Sequence, residues 1–126
     1  MTAAFEGDGV EWAVDAIGCD PARLASREAL GALFDRMIAE LGLRAIGAPH
    51  WHTFPDPGGV TGLCLLAESH LTVHTFPEHG SLCLNLFCCR ARPEWPFAER
   101  LAAMVGAREV QVTRLERRYV PVAAER

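Results

Sequence analysis

Glu68-Ser69-His70-Leu71-Thr72-Val73-His74-Thr75-Phe76-Pro77-Glu78 is the stretch whose reading decides the fold. His70 and His74 stand four apart, a spacing that on a helix would set both rings on one face. The β-branched residues and the stop at Pro77 predict a strand instead. On a strand the two rings point the same way but lie ~13 Å apart, too far to share a metal ion. Residues 60–67 before this run and 81–89 after it are apolar and strand-like as well, with 60–76 forming two strands or one long bent one.

Outward from this centre the signals are regular. Residues 10–17 alternate as a strand that Gly18 ends. Asp20 reads as an N-cap with Pro21 at the first helical position. Leu24, Leu30, Leu33, Phe34, Met37, Ile38 and Leu41 follow at helical spacing up to Gly42. Residues 43–52 read as a strand and 53–59 as a loop. Pro93 opens a second helix to about Val105, and 108–119 finish as a strand. The order β-α-β-β-β-α-β predicts one α/β (α+β) domain over 1–126. It is a two-layer sandwich with a mostly antiparallel sheet and two helices on one face. The other sheet face is uncovered, so a homodimer is expected.

Composition narrows the function. With 126 residues, 50% hydrophobic and 22% charged, this is an ordinary globular chain with one core. A net charge of −4 and the absence of a basic run argue against nucleic-acid binding; Glu116 interrupts Arg114, Arg117 and Arg118. No apolar run reaches the roughly 18 residues of a membrane span, and the acidic start carries no positive n-region. A cytoplasmic protein is therefore expected. Cys19, Cys64, Cys83, Cys88 and Cys89 form no C-x-x-C pair and read as free thiols. His50 and His52 share a strand face ~7 Å apart, but no metal is expected. The 12 basic residues are all arginines, so this chain cannot form a lysine Schiff base with pyridoxal phosphate and has no P-loop lysine.

Ser69 offers another electrophile. Attack of its hydroxyl on the Glu68 carbonyl converts the peptide to an ester. β-Elimination leaves dehydroalanine, and hydrolysis leaves a pyruvoyl group at residue 69. Elimination needs a base near the Ser69 α-hydrogen, and His70 and His74 are both candidates.

These residues carry a resemblance. Gly59-Val60-Thr61-Gly62, the run Glu68–Glu78, Cys89 and the upstream Ile17-Gly18-Cys19-Asp20-Pro21 resemble the prokaryotic S-adenosylmethionine decarboxylase proenzymes over roughly residues 10–119. The resemblance implies self-cleavage between Glu68 and Ser69 into a β chain (1–68) and an α chain (69–126), with a pyruvoyl cofactor derived from Ser69. It implies His74 as processing base, Thr61 as processing hydroxyl and Cys89 as the catalytic thiol that protonates the decarboxylated α-carbon. Phe76, Glu78, Glu68 and Phe54 are the implied substrate-binding residues. The implied reaction is that of a pyruvoyl-dependent carboxy-lyase. A Schiff base with S-adenosylmethionine loses carbon dioxide, giving the aminopropyl donor for spermidine, in a homodimer with sites near the interface. The chain departs from the family's usual residues at Phe76 (tryptophan or tyrosine), Asn85 (aspartate), Cys88 (threonine) and Arg90 (glycine). The same chemistry on ornithine or arginine, and an unprocessed homologue with a binding or regulatory role, are the alternatives.

Overall fold

The computed structural model describes residues 8–121. Strand β1 (Asp8–Ile17) leads through a single helical turn, α1 (Pro21–Leu24), into α2 (Arg27–Leu41). Then come β2 (His50–Thr53), β3 (Val60–Leu65), β4 (Ser69–Phe76) and, after a 3-10 turn at Pro77–His79, β5 (Ser81–Cys88). Helix α3 (Phe97–Val105) and strand β6 (Glu109–Arg118) follow. All six strands join one sheet in the order β2-β3-β4-β5-β1-β6, with every neighbour antiparallel.

Period-two alternation sorts the two faces. Val10, Trp12, Val14 and Ala16 of β1, Leu71 and Val73 of β4, and Leu82, Leu84 and Leu86 of β5 are buried. They share one core with Leu30, Leu33, Phe34 and Met37 of α2 and Phe97, Leu101 and Val105 of α3. Burying each such side chain is worth about 1.5–3 kcal/mol, so this layer holds the fold together. Gly62 of β3 faces the same layer, and a Cβ there would lie 2.2 Å from the Trp51 ring. That ring packs on Phe34 with centroids 5.0 Å apart, so only glycine lets Trp51 close this end of the core. The two-layer sandwich with helices on one face is the architecture expected from the sequence.

Several element boundaries are corrected. The first helix breaks at Ala25–Ser26. Buried Thr75 donates its Oγ1 hydrogen to the Leu24 carbonyl at 2.7 Å, taking α1's last acceptor for the sheet. Ser26 then restarts the helix as an N-cap, its Oγ accepting from Ala29 N at 3.0 Å. The strand expected over 43–52 shrinks to β2. Before it lie only a bridge between Ala45 and Leu66 and the turn at Gly47, where φ is 75°, and Pro49 has no N–H to give a ladder. Residues 60–76 form two strands, so four strands rather than three lie between the long helices. Their hairpin closes with Leu66 N donating to Ser69 O at 3.0 Å, placing Ala67-Glu68 at the turn. Helix α3 starts at Phe97, not Pro93, because Pro96 disfavours a helical Trp95.

Among the described residues the opposite sheet face carries no helix. His70, Thr72 and His74 of β4, Cys83, Asn85 and Phe87 of β5, and Glu11 and Ala13 of β1 lie on it, by the pairing register. Leu65 and Leu63 stand 59% and 47% exposed there.

Candidate active site

The Glu68-Ser69 peptide lies where the β3–β4 hairpin turns into β4. The Glu68 backbone carbonyl accepts a hydrogen bond from Cys89 N at 3.0 Å. Such a donor stabilises negative charge that develops on a carbonyl under attack. Ser69 Oγ lies 3.1 Å from His70 Nδ1. Cys89 follows β5 directly, and its own carbonyl accepts from Tyr119 Oη at 2.9 Å. Beside it, burial pushes the Cys88 thiol up to about 11, while the Arg92 guanidinium pulls the other way. The hairpin end thus gathers Glu68, Ser69, His70 and Cys89.

The other end of β4 gathers the remaining candidates. Thr61 Oγ1 and His74 Nδ1 lie 2.6 Å apart across the β3–β4 pair. His74 meets the Phe76 ring edge-on at 4.5 Å and the Phe54 ring at 5.7 Å. Phe54 in turn meets His52 at 4.5 Å. Phe54, His74, Phe76 and Glu78 line one cavity of about 170 Å³. Two aromatic faces and a carboxylate suit an organic cation. A second groove of about 360 Å³ continues from Thr61 and His74 across Thr72, Cys83 and Asn85 to Asp15.

These two groups do not meet within one chain. Ser69 opens β4 and His74 stands five residues further along it, which at ~3.3 Å per residue puts them ~16 Å apart. His70, not His74, is the imidazole that contacts Ser69 within the chain.

The neighbours of Asn85, Arg90 and Cys83 are defined. Asn85 Nδ2 donates to Glu11 Oε2 at 2.8 Å. That bond, with help from Arg117, holds the Glu11 carboxyl below its usual range. Arg90 is exposed just beyond Cys89. Cys83 Sγ lies 3.4 Å from Asp15 Oδ1; burial first, and Asp15 second, push its thiol up. All five cysteines are free thiols. Among the described residues no group of three or more His, Cys, Asp or Glu is placed to hold a metal ion. No helix among them is long and apolar enough to cross a membrane.

Three residues that the sequence did not single out enter the hairpin cluster. Arg92 pairs with Glu68 Oε2 at 3.4 Å, Arg44 N donates to Glu68 Oε1 at 3.3 Å, and Tyr119 holds Cys89. Each is brought in by tertiary contact, and only the nearness of Arg92 to Cys89 in sequence hinted at one of them.

Comparison with known proteins shows the family. The family model for S-adenosylmethionine decarboxylase matches residues 10–118. The S-adenosylmethionine decarboxylase proenzyme of Thermococcus kodakarensis is 36% identical over 92 residues, covering 71% of this chain and 63% of that protein. The chain thus spans less than two thirds of that relative's length. The proenzyme of Caldicellulosiruptor saccharolyticus is 33% identical over 104 residues, covering 79% of this chain and 80% of that one. The crystal structure of the adenosylmethionine decarboxylase from Aquifex aeolicus superposes with a TM-score of 0.73 at 25% identity, covering 90% of this chain and 93% of that one. The chain belongs to the S-adenosylmethionine decarboxylase family.

Proposed function

We propose that this chain is a self-processing pyruvoyl-dependent decarboxylase of S-adenosylmethionine, cut between Glu68 and Ser69 into residues 1–68 and 69–126. The observation that carries this reading is the polarised peptide at the hairpin. The Glu68 carbonyl accepts from Cys89 N at 3.0 Å, and the adjacent Ser69 hydroxyl lies 3.1 Å from His70 Nδ1. Ser69 Oγ attacks the Glu68 carbonyl carbon, the C–N bond breaks, and an ester replaces the amide. A base removes the Ser69 α-hydrogen. The Cβ–Oγ bond then breaks, so Glu68 leaves as a carboxylate that keeps the oxygen. The resulting dehydroalanine adds water and loses ammonia, which leaves the pyruvoyl group.

The hairpin residues fit that group, because Ser69 would supply it and the Glu68 carbonyl beside it already accepts from Cys89 N. The pyruvoyl supplies an electrophilic carbonyl that takes the substrate amine and the electrons released with carbon dioxide. Cys89 is held through both its backbone N–H and its carbonyl, which fixes the backbone that carries the thiol that delivers a proton to the substrate α-carbon. Phe54 and Phe76 offer ring faces to the adenine and sulfonium, and Glu78 accepts from the ribose hydroxyls.

The ~16 Å between Ser69 and His74 along one strand supports a homodimer. In a two-fold dimer joined through the open faces, His74 and Thr61 of the partner subunit meet Ser69, and the aromatic cavity is brought to the hairpin cluster. Exposed Leu63 and Leu65 on that face gain burial. The direct test is release of labelled carbon dioxide from carboxyl-labelled S-adenosylmethionine, with ornithine and arginine as controls. Release from S-adenosylmethionine alone is expected; release from a control in its place overturns the substrate assignment.

A further inference from the structure

We infer that Arg92 is a positioning residue for self-cleavage, receiving the carboxylate that Glu68 becomes when the ester eliminates. The inference rests on the self-processing reading above. Glu68 is tethered at every acceptor it has. Its backbone carbonyl accepts from Cys89 N at 3.0 Å. Its side-chain oxygens take Arg44 N at 3.3 Å and the Arg92 guanidinium at 3.4 Å. Arg92 is anchored in turn, its Nη1 donating to the Leu41 carbonyl at the end of α2 at 2.7 Å. Its Nε–H is buried and has no hydrogen-bond partner among the described residues. A buried donor left without an acceptor is costly, so this one is a donor waiting for a new acceptor.

Processing creates one. The acyl half of the ester leaves as the Glu68 α-carboxylate, on a residue whose side chain is already a carboxylate. Two like charges so close oppose each other, and the developing negative charge appears at the moment the Cβ–Oγ bond breaks. The guanidinium already pairs with this residue and holds an unused Nε–H, and Cys89 N–H is already bonded to the oxygen concerned. Charge-assisted hydrogen bonds of this kind are the strong ones. Arg92 therefore acts on elimination, the step after the ester has formed. A purely structural pair between the hairpin and α2 would slow no single step.

The test follows maturation of Arg92→Gln and Arg92→Lys by mass spectrometry, with hydroxylamine added to split any accumulated ester. In Arg92→Gln, pyruvoyl formation is expected to slow roughly tenfold or more. A hydroxylamine-sensitive ester should build up, releasing a 69–126 chain that begins with serine. Arg92→Lys keeps the charge and the pairing with Glu68, so it should show the same ester with a shorter life; it carries the test if Arg92→Gln does not fold. Normal pyruvoyl formation in these variants, or slow maturation without an ester, overturns the role of Arg92 and leaves self-processing standing. A wild-type chain that never cleaves overturns both.

Discussion

Mixing a Ser69→Ala chain with a His74→Ala chain should restore a cleavage that neither performs alone. Ser69 and His74 lie five residues apart on β4, ~16 Å at strand rise, whereas proton transfer needs contact at about 3 Å. No change of side-chain rotamer closes a gap of that size on one strand. In the proposed two-fold dimer each Ser69 would face the partner's His74, so a mixed dimer would hold one site with both groups and one with neither. Random pairing of equal amounts makes about half of the dimers mixed, so about half of the His74→Ala chains should mature. The assay is co-expression with distinguishable tags, followed by intact mass measurement of each chain. Recovery of 1–68 and 69–126 fragments from the His74→Ala chain alone, at about half yield, is the expected result. No fragments from the mixture would refute the shared site. Normal cleavage of His74→Ala by itself would refute His74 as the base and leave the role to His70.

Cys89→Ala should cleave to the normal extent yet release carbon dioxide ~10²-fold more slowly, as loss of a general acid requires; a normal rate in the labelled assay removes Cys89 from that role. Thr75 is 1% exposed and joins two backbone partners, accepting from Val60 N at 2.9 Å and donating to the Leu24 carbonyl. Thr75→Val should therefore lose about 1–3 kcal/mol in urea unfolding, and an unchanged midpoint would show the clamp contributes nothing. Burial pushes the Cys88 thiol up to about 11 in the folded chain, above the ordinary thiol range near 9.0. The folded state then keeps a proton that the unfolded state has released. This stability is full below about 9 and lost as pH rises through about 11, and Cys88→Ala should flatten that alkaline loss in thermal melts.

The sheet was legible because its apolar residues alternate, as Leu82, Leu84 and Leu86 do on β5. The break between α1 and α2 was not, because the contact that ends α1 comes from Thr75, 51 residues away in sequence. Residues 43–49 read as strand by composition, but Gly47 and Pro49 turn the chain before a ladder can form. The candidate residues were singled out by type and order. Their division into two ends of β4 follows from strand rise alone: the rise that sets His70 and His74 ~13 Å apart sets Ser69 and His74, one residue further, ~16 Å apart. Arg92, Arg44 and Tyr119 reach Glu68 and Cys89 only through folding, so no local pattern announces them.

Intact mass spectrometry of the purified wild-type chain tests self-cleavage most directly. Two fragments are expected, one ending at Glu68 and one beginning at residue 69 with a blocked, pyruvoyl-bearing terminus. A single uncut chain that persists on incubation with diamines would contradict the pyruvoyl enzyme and leave an unprocessed homologue.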